Sequence, residues 1–296
     1  MLISLPMRPS TVPVIAVVPT CAGREDLLLG RALPSIYAQE AAPRRVLVVA
    51  DRDVPPDDPL HDRIAQTRRA FLSLRLGVQD SHVPDDLFPT ALLENRRTRG
   101  HAVTGSVNTA VDMAVAEHGT GWWLTTLDDD DAWHPPYLRR CVEAAHGAPG
   151  PRHMVANGHR RLTTRHVQIR IPRTDLCPKH VFLGSPGIQG SNLMVSVDLF
   201  LEVGGYDETF PSTTDRDILV RLLDALADRR EALVFVRAAL VDHYADNHDR
   251  VTTGPRKHEG LDRFYARYRH RMSPEVYALS MRRARAVFGY VPIEER

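Results

Sequence analysis

The chain has 296 residues, of which 43% are hydrophobic, and its 38 basic and 37 acidic side chains leave a formal net charge of +1. This balance excludes bulk electrostatic attraction to nucleic acid or to an anionic membrane, so any recognition of charge must be local. Length and composition fit one large domain with an appended segment. No apolar run approaches the roughly 20 residues that span a bilayer, and the proline-interrupted start lacks the pattern of a signal peptide.

The cysteines are few and widely separated. Cys21, Cys141 and Cys177 form no CxxC pair, which predicts neither a disulfide framework nor a structural zinc site. Together with the lack of a membrane-spanning run, this pattern leads us to expect a cytoplasmic protein in a reducing compartment.

The first part of the chain has the pattern strand, helix, strand. Residues 12–18 and 46–49 are continuous β-branched runs, and an amphipathic segment at 27–39 lies between them. Continuous apolar runs are typical of strands buried on both faces of a parallel sheet, so a right-handed βαβ start is expected. The next region is interrupted by prolines and predicts a helix at 61–71 followed by a short strand at 72–76.

Later segments continue in the same manner. Residues 106–117 carry apolar side chains at helical spacing, and residues 122–127 form a strand that leads into acidic residues. In open α/β sheets, ligands bind at the carboxyl ends of the strands. Further along we expect strands at 153–157, 167–171 and 232–236, a glycine-rich loop at 184–196, helices at 197–203 and 215–227, and a helical segment at 257–285.

Four consecutive aspartates at residues 128–131 follow the strand. Adjacent carboxylates repel one another unless a cation lies among them, and oxygen ligands suit Mg²⁺, Mn²⁺ or Ca²⁺. The alternative is an acidic turn that caps a helix starting near Pro135. An EF-hand is excluded because its sixth and twelfth positions, counted from Asp128, hold Trp133 and Arg139. Since the sequence has neither a Walker loop nor a GxGxxG loop, the pattern favours a metal that neutralises a diphosphate.

Five stretches, in order over residues 12–223, resemble the family 2 glycosyltransferases, which are inverting, nucleotide-sugar-dependent enzymes with the GT-A fold. These stretches are VIAVVPTCAGREDLLLGRALPSIYAQ, RRVLVVADRD, GSVNTAVDMA, LDDDDAWHPPYL with its DxD motif, and SNLMVSVDLFLEVGGYDETFPSTTDRDILVRL with its GG[FY]DE segment. The resemblance implies an α/β domain of the Rossmann-like GT-A fold at residues 1–254, with a mostly parallel central sheet and flanking helices. A helical extension would follow at 255–296.

The resemblance also implies a donor-binding role for several residues. Thr20, Arg24 and Asp51 would hold the base and ribose of a nucleoside diphosphate sugar, and Asn108 lies in the helix that precedes the motif strand. A carboxylate such as Asp51 can accept a hydrogen bond from a nucleobase NH. The alternative for Asp51 is a polar residue in a turn at the end of a strand.

Within the DxD motif, the resemblance divides the four aspartates between donor and metal. Asp128 would face the ribose or the water shell of the metal, and Asp129 is grouped with it as donor-binding, although the register among identical residues is ambiguous. Asp130 would bind Mn²⁺ or Mg²⁺ bridging the donor phosphates, with Asp131 as a further ligand or the helix cap. The metal would stabilise negative charge on the departing diphosphate.

Relatives often carry a histidine that completes the metal or diphosphate site. The segment VDHYADNHDRVTT offers His243 and His248, and His248 matches the expected position better. The alternative for His248 is a polar residue at the surface or in the packing.

By the same resemblance the general base is Asp215, in TTDRDILVRL. It would deprotonate the acceptor hydroxyl on the face opposite the leaving diphosphate, so that attack inverts the anomeric centre. Asp217 would then be a partner at the helix start or an acceptor contact. The alternative for Asp215 is a cap on the helix at 216–227.

These observations predict metal-dependent, inverting transfer of a sugar from a nucleoside diphosphate sugar to an acceptor hydroxyl, without nucleic acid as a partner. The aromatic residues of the arginine-rich C-terminal segment indicate packing onto the body or a homo-oligomer.

Two alternative functions stay open. One is a sugar-1-phosphate nucleotidyltransferase, whose glycine-rich basic loop CAGRED matches only in part. The other is a catalytically degenerate sugar-nucleotide-binding protein, suggested by Ala50, Val107 and Thr214 where relatives more often carry polar or charged residues.

Overall fold

The computed structural model describes residues 9–100, 103–245 and 255–293. In this part of the chain, nine strands form one sheet with helices on both faces. The strands are β1 (Ser10–Thr20), β2 (Ala41–Ala50), β3 (Thr90–Glu94), β4 (Trp123–Thr126), β5 (Ala132–Trp133), β6 (Met154–Leu162), β7 (Val167–Arg170), β8 (Leu193–Ser196) and β9 (Val234–Tyr244). The α-helices are α1 (Glu25–Leu27), α2 (Leu33–Tyr37), α3 (Pro59–Leu76), α4 (Thr104–His118), α5 (Tyr137–Gly147), α6 (Pro178–Leu183), α7 (Val197–Glu202), α8 (Thr214–Asp228), α9 (Pro255–Tyr268) and α10 (Pro274–Phe288), and a π-helical turn (Leu28–Ala32) joins α1 to α2.

The sheet has a parallel half and a mixed half. Its order is β3-β2-β1-β4-β8-β6-β9-β5, with β7 paired to β6. The first four strands run parallel, as the βαβ pattern predicts, whereas β8 is antiparallel to both of its neighbours. In the second half β9 is parallel to β6, and β5 and β7 are antiparallel edge partners. This is the mixed α/β architecture, with a parallel core, that the sequence predicts.

The continuous apolar runs are explained by burial on both sheet faces. In β1, Ile15 and Val17 contribute to one hydrophobic cluster, and Val14, Ala16 and Val18 contribute to another. Successive residues of a strand point to opposite faces, so both clusters need apolar side chains along the whole strand. The two clusters lie between the sheet and its two layers of helices.

The predicted strand at 72–76 is wrong, because α3 continues through it to Leu76. The buried positions Leu60, Ile64, Arg68 and Leu72 recur every four residues, which is the helical repeat. Arg68 interrupts the apolar pattern at the third position. Its guanidinium is satisfied by backbone carbonyls, including that of Leu87 at 2.6 Å, so it can lie on the buried face.

Two strands have bounds that the sequence does not predict. The glycine-rich stretch contains β8, a four-residue strand inserted between β4 and β6. The strand expected at 232–236 runs instead to Tyr244, because its polar end pairs with β6 at His159, Arg160, Arg161 and Leu162. The polar end of β9 therefore reaches the edge of the sheet where the acidic residues lie.

The C-terminal helices pack onto the body of the protein. Phe264, Tyr265 and Tyr268 of α9 are buried in the same hydrophobic cluster as α8. Asp217 of α8, 1% exposed, accepts hydrogen bonds from Arg267 Nη1 and the Tyr268 hydroxyl, both at 2.8 Å. Asp217 therefore ties the start of α8 to α9, and a contact with an acceptor stays a prediction. Within the described residues, no helix is both long and apolar enough to cross a membrane.

Candidate active site

The predicted site residues gather where parallel strands end. Because β1, β2 and β4 are parallel neighbours, their carboxyl ends share one edge of the sheet. Thr20 is the last residue of β1, Asp51 directly follows β2, and residues 128–131, here called the acidic motif, begin just beyond β4. The Asp51 N–H donates to the Thr20 carbonyl at 2.8 Å, which fixes the first two of these ends together.

Arg24 binds the acidic motif directly. Its Nη2 lies 2.6 Å from Asp129 Oδ1 and 2.9 Å from Asp130 Oδ2, and Thr20 Oγ1 donates to Asp129 Oδ2 at 2.8 Å. Burial opposes the charge of Arg24, but the hydrogen bonds and charges of Asp129 and Asp130 outweigh it and raise the Arg24 pKa. Asp129, 4% exposed, is thus engaged inside the protein and holds the loop after β1 against the motif.

The other three carboxylates of the motif converge. Asp128, Asp130 and Asp131, here called the acidic triad, each present one oxygen, and these oxygens lie within 4.8 Å of one another. Burial, followed by the charges of Asp131 and Asp130, raises the pKa of Asp128 well above its ordinary value. A hard divalent cation relieves such crowding, and three carboxylate oxygens are the ligand type that Mg²⁺ and Mn²⁺ take. The residues therefore fit the metal that the resemblance implies, with Asp128 as an additional candidate ligand.

The alternative of a helix-capping turn is wrong. Helix α5 starts at Tyr137, and its N-cap residue, Pro136, has no side-chain cap. Asp131 instead lies against the end of β9, where His243 Nδ1 is 3.1 Å from both carboxylate oxygens and the Tyr244 N–H donates at 3.3 Å. Asp131 is therefore not the cap of this helix.

His243 is a site residue that the sequence ranked second. It lies beside Asp131, whereas the preferred candidate, His248, lies outside the described residues. The length of β9 decides this, because only a strand that continues to Tyr244 carries His243 to the sheet edge.

Asp215 faces the acidic triad from the start of α8. The helix begins at Thr214, and its N-cap, Thr213, adopts the left-handed conformation with φ 66° and makes no side-chain cap, so Asp215 does not cap the helix. Burial raises the pKa of Asp215, while Lys257, the Gly190 N–H and His243 act to lower it. Ser191, which follows Gly190, accepts a hydrogen bond from the Asp128 N–H at 3.2 Å, so one loop contacts both Asp215 and the triad. Asp215 and the triad therefore share one site.

Lys257 is a residue near the site that sequence reasoning missed. This side chain of α9 is 8% exposed, and its Nζ lies 3.2 Å from Thr213 Oγ1 and 4.6 Å from the ring centre of Phe288. Burial and the neighbouring arginines, partly offset by Asp215, lower its pKa to about 8. A lone lysine in an arginine-rich segment gives no sequence signal of this placement.

Two predicted donor-binding residues make internal contacts. Asp51 accepts from Asn95 Nδ2 at 2.7 Å and from the Gly100 N–H at 2.6 Å, so it orders the loop between them. Asn108 donates to the Tyr206 carbonyl at 2.9 Å and to Glu208 Oε1 at 2.8 Å, and it accepts from the Tyr206 N–H at 3.0 Å. The contacts of Asn108 hold the GGYDE turn in place. Contacts of Asp51 and Asn108 with a donor stay predictions.

The parallel core, the acidic edge and the flanking helices have the architecture of the GT-A fold. Residues 93–204 match the family model described as Glycosyl transferase family 2. Over these residues the chain is similar to the family 2 glycosyltransferases. The matched residues include the acidic motif but not Asp215.

Solved structures of similar fold are glycosyltransferases by name or by ligand. The S. aureus TarS structure has a TM-score of 0.60 and 11% identity, over 94% of this chain and 44% of that chain. The structure of TarS residues 1–349 in complex with UDP-GlcNAc has a TM-score of 0.57 and 10% identity, over 93% of this chain and 82% of that chain. The mannosyltransferase PcManGT from Pyrobaculum calidifontis, in complex with GDP-Man and Mn²⁺, has a TM-score of 0.54 and 17% identity, over 92% of this chain and 69% of that chain.

At these identities the likeness shows the fold alone. The chain spans less than half of the longer TarS chain. A sequence comparison with curated proteins gives no match.

Proposed function

We propose that this enzyme transfers a sugar from a nucleoside diphosphate sugar to a hydroxyl of an acceptor, with inversion, using a divalent metal at the acidic triad and Asp215 as the general base. The observation that supports the proposal is the loop shared by the two centres, in which the Gly190 N–H bonds to Asp215 and the Ser191 hydroxyl accepts from the Asp128 N–H at 3.2 Å. Two separate carboxylate centres are what the chemistry needs, one for the leaving group and one for the proton.

The donor side of the proposal depends on the triad and its neighbours. Asp128, Asp130 and Asp131 would hold Mn²⁺ or Mg²⁺. The bound ion supplies Lewis-acid stabilisation of the charge on the departing diphosphate. Arg24 keeps Asp129 away from the ion and fixes the loop after β1, and Asp51 faces the base or ribose. Nucleotide complexes of TarS and of the mannosyltransferase, the latter with Mn²⁺, support this choice of donor.

The acceptor side depends on Asp215. To remove the proton of an acceptor hydroxyl, Asp215 has to be ionised and correctly oriented. Burial raises the pKa of Asp215, and the charge of Lys257 and the hydrogen bond from the Gly190 N–H offset part of that rise, so both favour the ionised form that a base needs. Lys257 acts here as a positioning residue that belongs to the C-terminal helices.

A donor survey tests the proposal without knowledge of the acceptor. Purified protein is incubated with UDP- and GDP-sugars in Mn²⁺, Mg²⁺ or EDTA, and release of the nucleoside diphosphate is measured. We expect slow hydrolysis of at least one donor that requires the metal, and a product sugar of inverted anomeric configuration by NMR. Release of pyrophosphate from a nucleoside triphosphate and a sugar 1-phosphate would instead show a nucleotidyltransferase.

A further inference from the structure

A basic face adjoins the site on the second half of the sheet. Arg161 pairs with His243 across β6 and β9, and Arg170 pairs with His159 across β6 and β7. Paired residues, and residues two apart on a strand, point to the same face. The rings of His159 and His243 are 5.9 Å apart, and His243 contacts Asp131 of the triad. Arg161 and Arg170 therefore lie on the face of the sheet that leads to the site.

A third arginine reaches this face from the C-terminal helices. Arg283 of α10 lies against Gly184, where an added Cβ would come within 2.7 Å of its Nε. The loop that begins at Gly184 approaches His159, the partner of Arg170, with Gln189 Nε2 3.5 Å from His159 Nε2. Burial lowers the pKa of Arg170, and the charges of Arg161 and Arg283 lower it further. Arg283 Cζ and Lys257 Nζ lie 5.8 and 4.6 Å from the centre of the same ring, that of Phe288. The basic face thus extends towards the proposed base.

Within the described part of the chain, the three arginines have no carboxylate partner, unlike other arginines of this protein. Arg97 Nε lies 2.7 Å from Asp112 Oδ2, and Arg99 Nη2 lies 2.6 Å from Glu94 Oε1. Across residues 9–100, 103–245 and 255–293, by contrast, no carboxylate forms an ion pair with Arg161, Arg170 or Arg283. Arg170 donates instead to the neutral oxygen of Gln168, at 2.9 and 3.1 Å. Like charges gathered in this way repel one another until an anion joins them.

We propose that Arg161, Arg170 and Arg283 bind a phosphate group carried by the acceptor. Guanidinium groups bind phosphate through paired hydrogen bonds, and all three side chains are only half-buried, so a ligand can reach them. The donor edge is built around Arg24 and the triad at β1 and β4, whereas these arginines lie on β6, β7 and α10, towards Lys257 and Asp215. An acceptor whose hydroxyl lies at Asp215 therefore brings its phosphate to the basic face. The assignment to the acceptor depends on the proposed function, while the anion site does not.

The test compares a phosphorylated alcohol with its neutral parent. Binding of sn-glycerol 3-phosphate, glycerol and inorganic phosphate is measured by calorimetry for wild type, Arg170→Gln and Arg283→Gln. Matched controls are Arg165→Gln, on the exposed turn before β7, and Arg282→Gln, the exposed neighbour on α10. We expect glycerol 3-phosphate to bind better than either other probe, and each site variant to weaken it about ten-fold because a charge-assisted bond is lost. The controls should bind as wild type does.

Several results would overturn the inference. Equal binding of glycerol and glycerol 3-phosphate, absence of binding, or site variants that match the controls would each remove the anion site. Equal affinity for inorganic phosphate would remove the link to an acceptor. Weaker UDP or GDP binding in Arg170→Gln or Arg283→Gln would assign the arginines to the donor. An unchanged melting temperature for each variant shows that the fold is retained.

Failure of this inference and failure of the proposed function can be told apart. If the donor survey gives metal-dependent release of nucleoside diphosphate while the variants bind glycerol 3-phosphate normally, the inference alone is wrong. If no donor is turned over while Arg170→Gln and Arg283→Gln bind glycerol 3-phosphate more weakly than wild type does, the proposed function is wrong and the anion site is supported.

Discussion

The donor edge and the acceptor side of the site are built from different kinds of sequence. The donor edge consists of residues that directly follow parallel strands, namely Thr20, Asp51 and the acidic motif at 128–131. The acceptor side combines Asp215 of α8, Lys257 of α9, and the basic face of β6, β7 and α10. A local pattern is enough to mark the donor edge. The proposed acceptor side depends on the packing of the C-terminal helices, which no local pattern in the sequence indicates.

The largest effect is expected from Asp215→Asn, which removes the proposed base and leaves the donor edge intact. Transfer or donor hydrolysis should fall about a thousand-fold, within the usual contribution of a general base, while UDP or GDP binding is retained. Asp228→Asn, at the exposed end of the same helix, is the matched control and should keep full activity. Normal turnover in Asp215→Asn would show that the acceptor side lacks this base.

A second test asks whether the acceptor side depends on the packing of α9. Asp217→Ala leaves Arg267 and Tyr268 without their buried partner and should lower the free energy of unfolding by about 3 kcal/mol. Asp224→Ala breaks the exposed pair with Arg271 and should cost less than about 1 kcal/mol. Urea denaturation measures both values. Similar losses in the two variants would contradict the role given to Asp217.

The smallest effect is expected from Lys257→Met, in the pH dependence of turnover. Burial raises the pKa of Asp215 and the charge of Lys257 lowers it, so removing that charge raises the pKa further. Because a base acts only when deprotonated, activity should be lost at a higher pH as the solution is acidified. Lys179→Met, an exposed substitution on α6, should leave the profile unchanged. If the acidic limb of the pH–activity profile lies at the same pH in Lys257→Met as in wild type, Lys257 does not influence the pKa of the base.

The sequence predicts the parallel core and the donor edge because each depends on neighbouring residues. A β-branched strand followed at once by aspartates indicates both burial and the position of the acids. The division of labour within the motif was not predictable. Four identical residues do not indicate which of them faces which partner. In the structure the motif forms a turn, in which the Asp131 N–H donates to the Asp128 carbonyl at 3.0 Å, and Asp129 lies outside the group formed by the triad.

Errors elsewhere have a common physical cause, which is polar residues satisfied by tertiary contacts. Arg68 lies on the buried face of α3 because backbone carbonyls accept from it, so the helix continues where a strand was predicted. Arg160 and Asp242 pair across β6 and β9 at 2.5 Å, which lets β9 extend to His243. Lys257 reaches Asp215 from a segment whose sequence indicates only an arginine-rich helix. None of these contacts is visible before the chain is folded.

The central claim is that the acidic triad holds a divalent ion against the diphosphate of the donor. It is tested most directly by measuring the affinity for UDP and GDP with and without Mn²⁺, in wild type, Asp130→Asn and Asp215→Asn. The account predicts that Mn²⁺ strengthens binding of at least one of the two nucleotides in wild type and Asp215→Asn, and that this gain is lost in Asp130→Asn. An equal gain in all three proteins, or no gain in any, would contradict it.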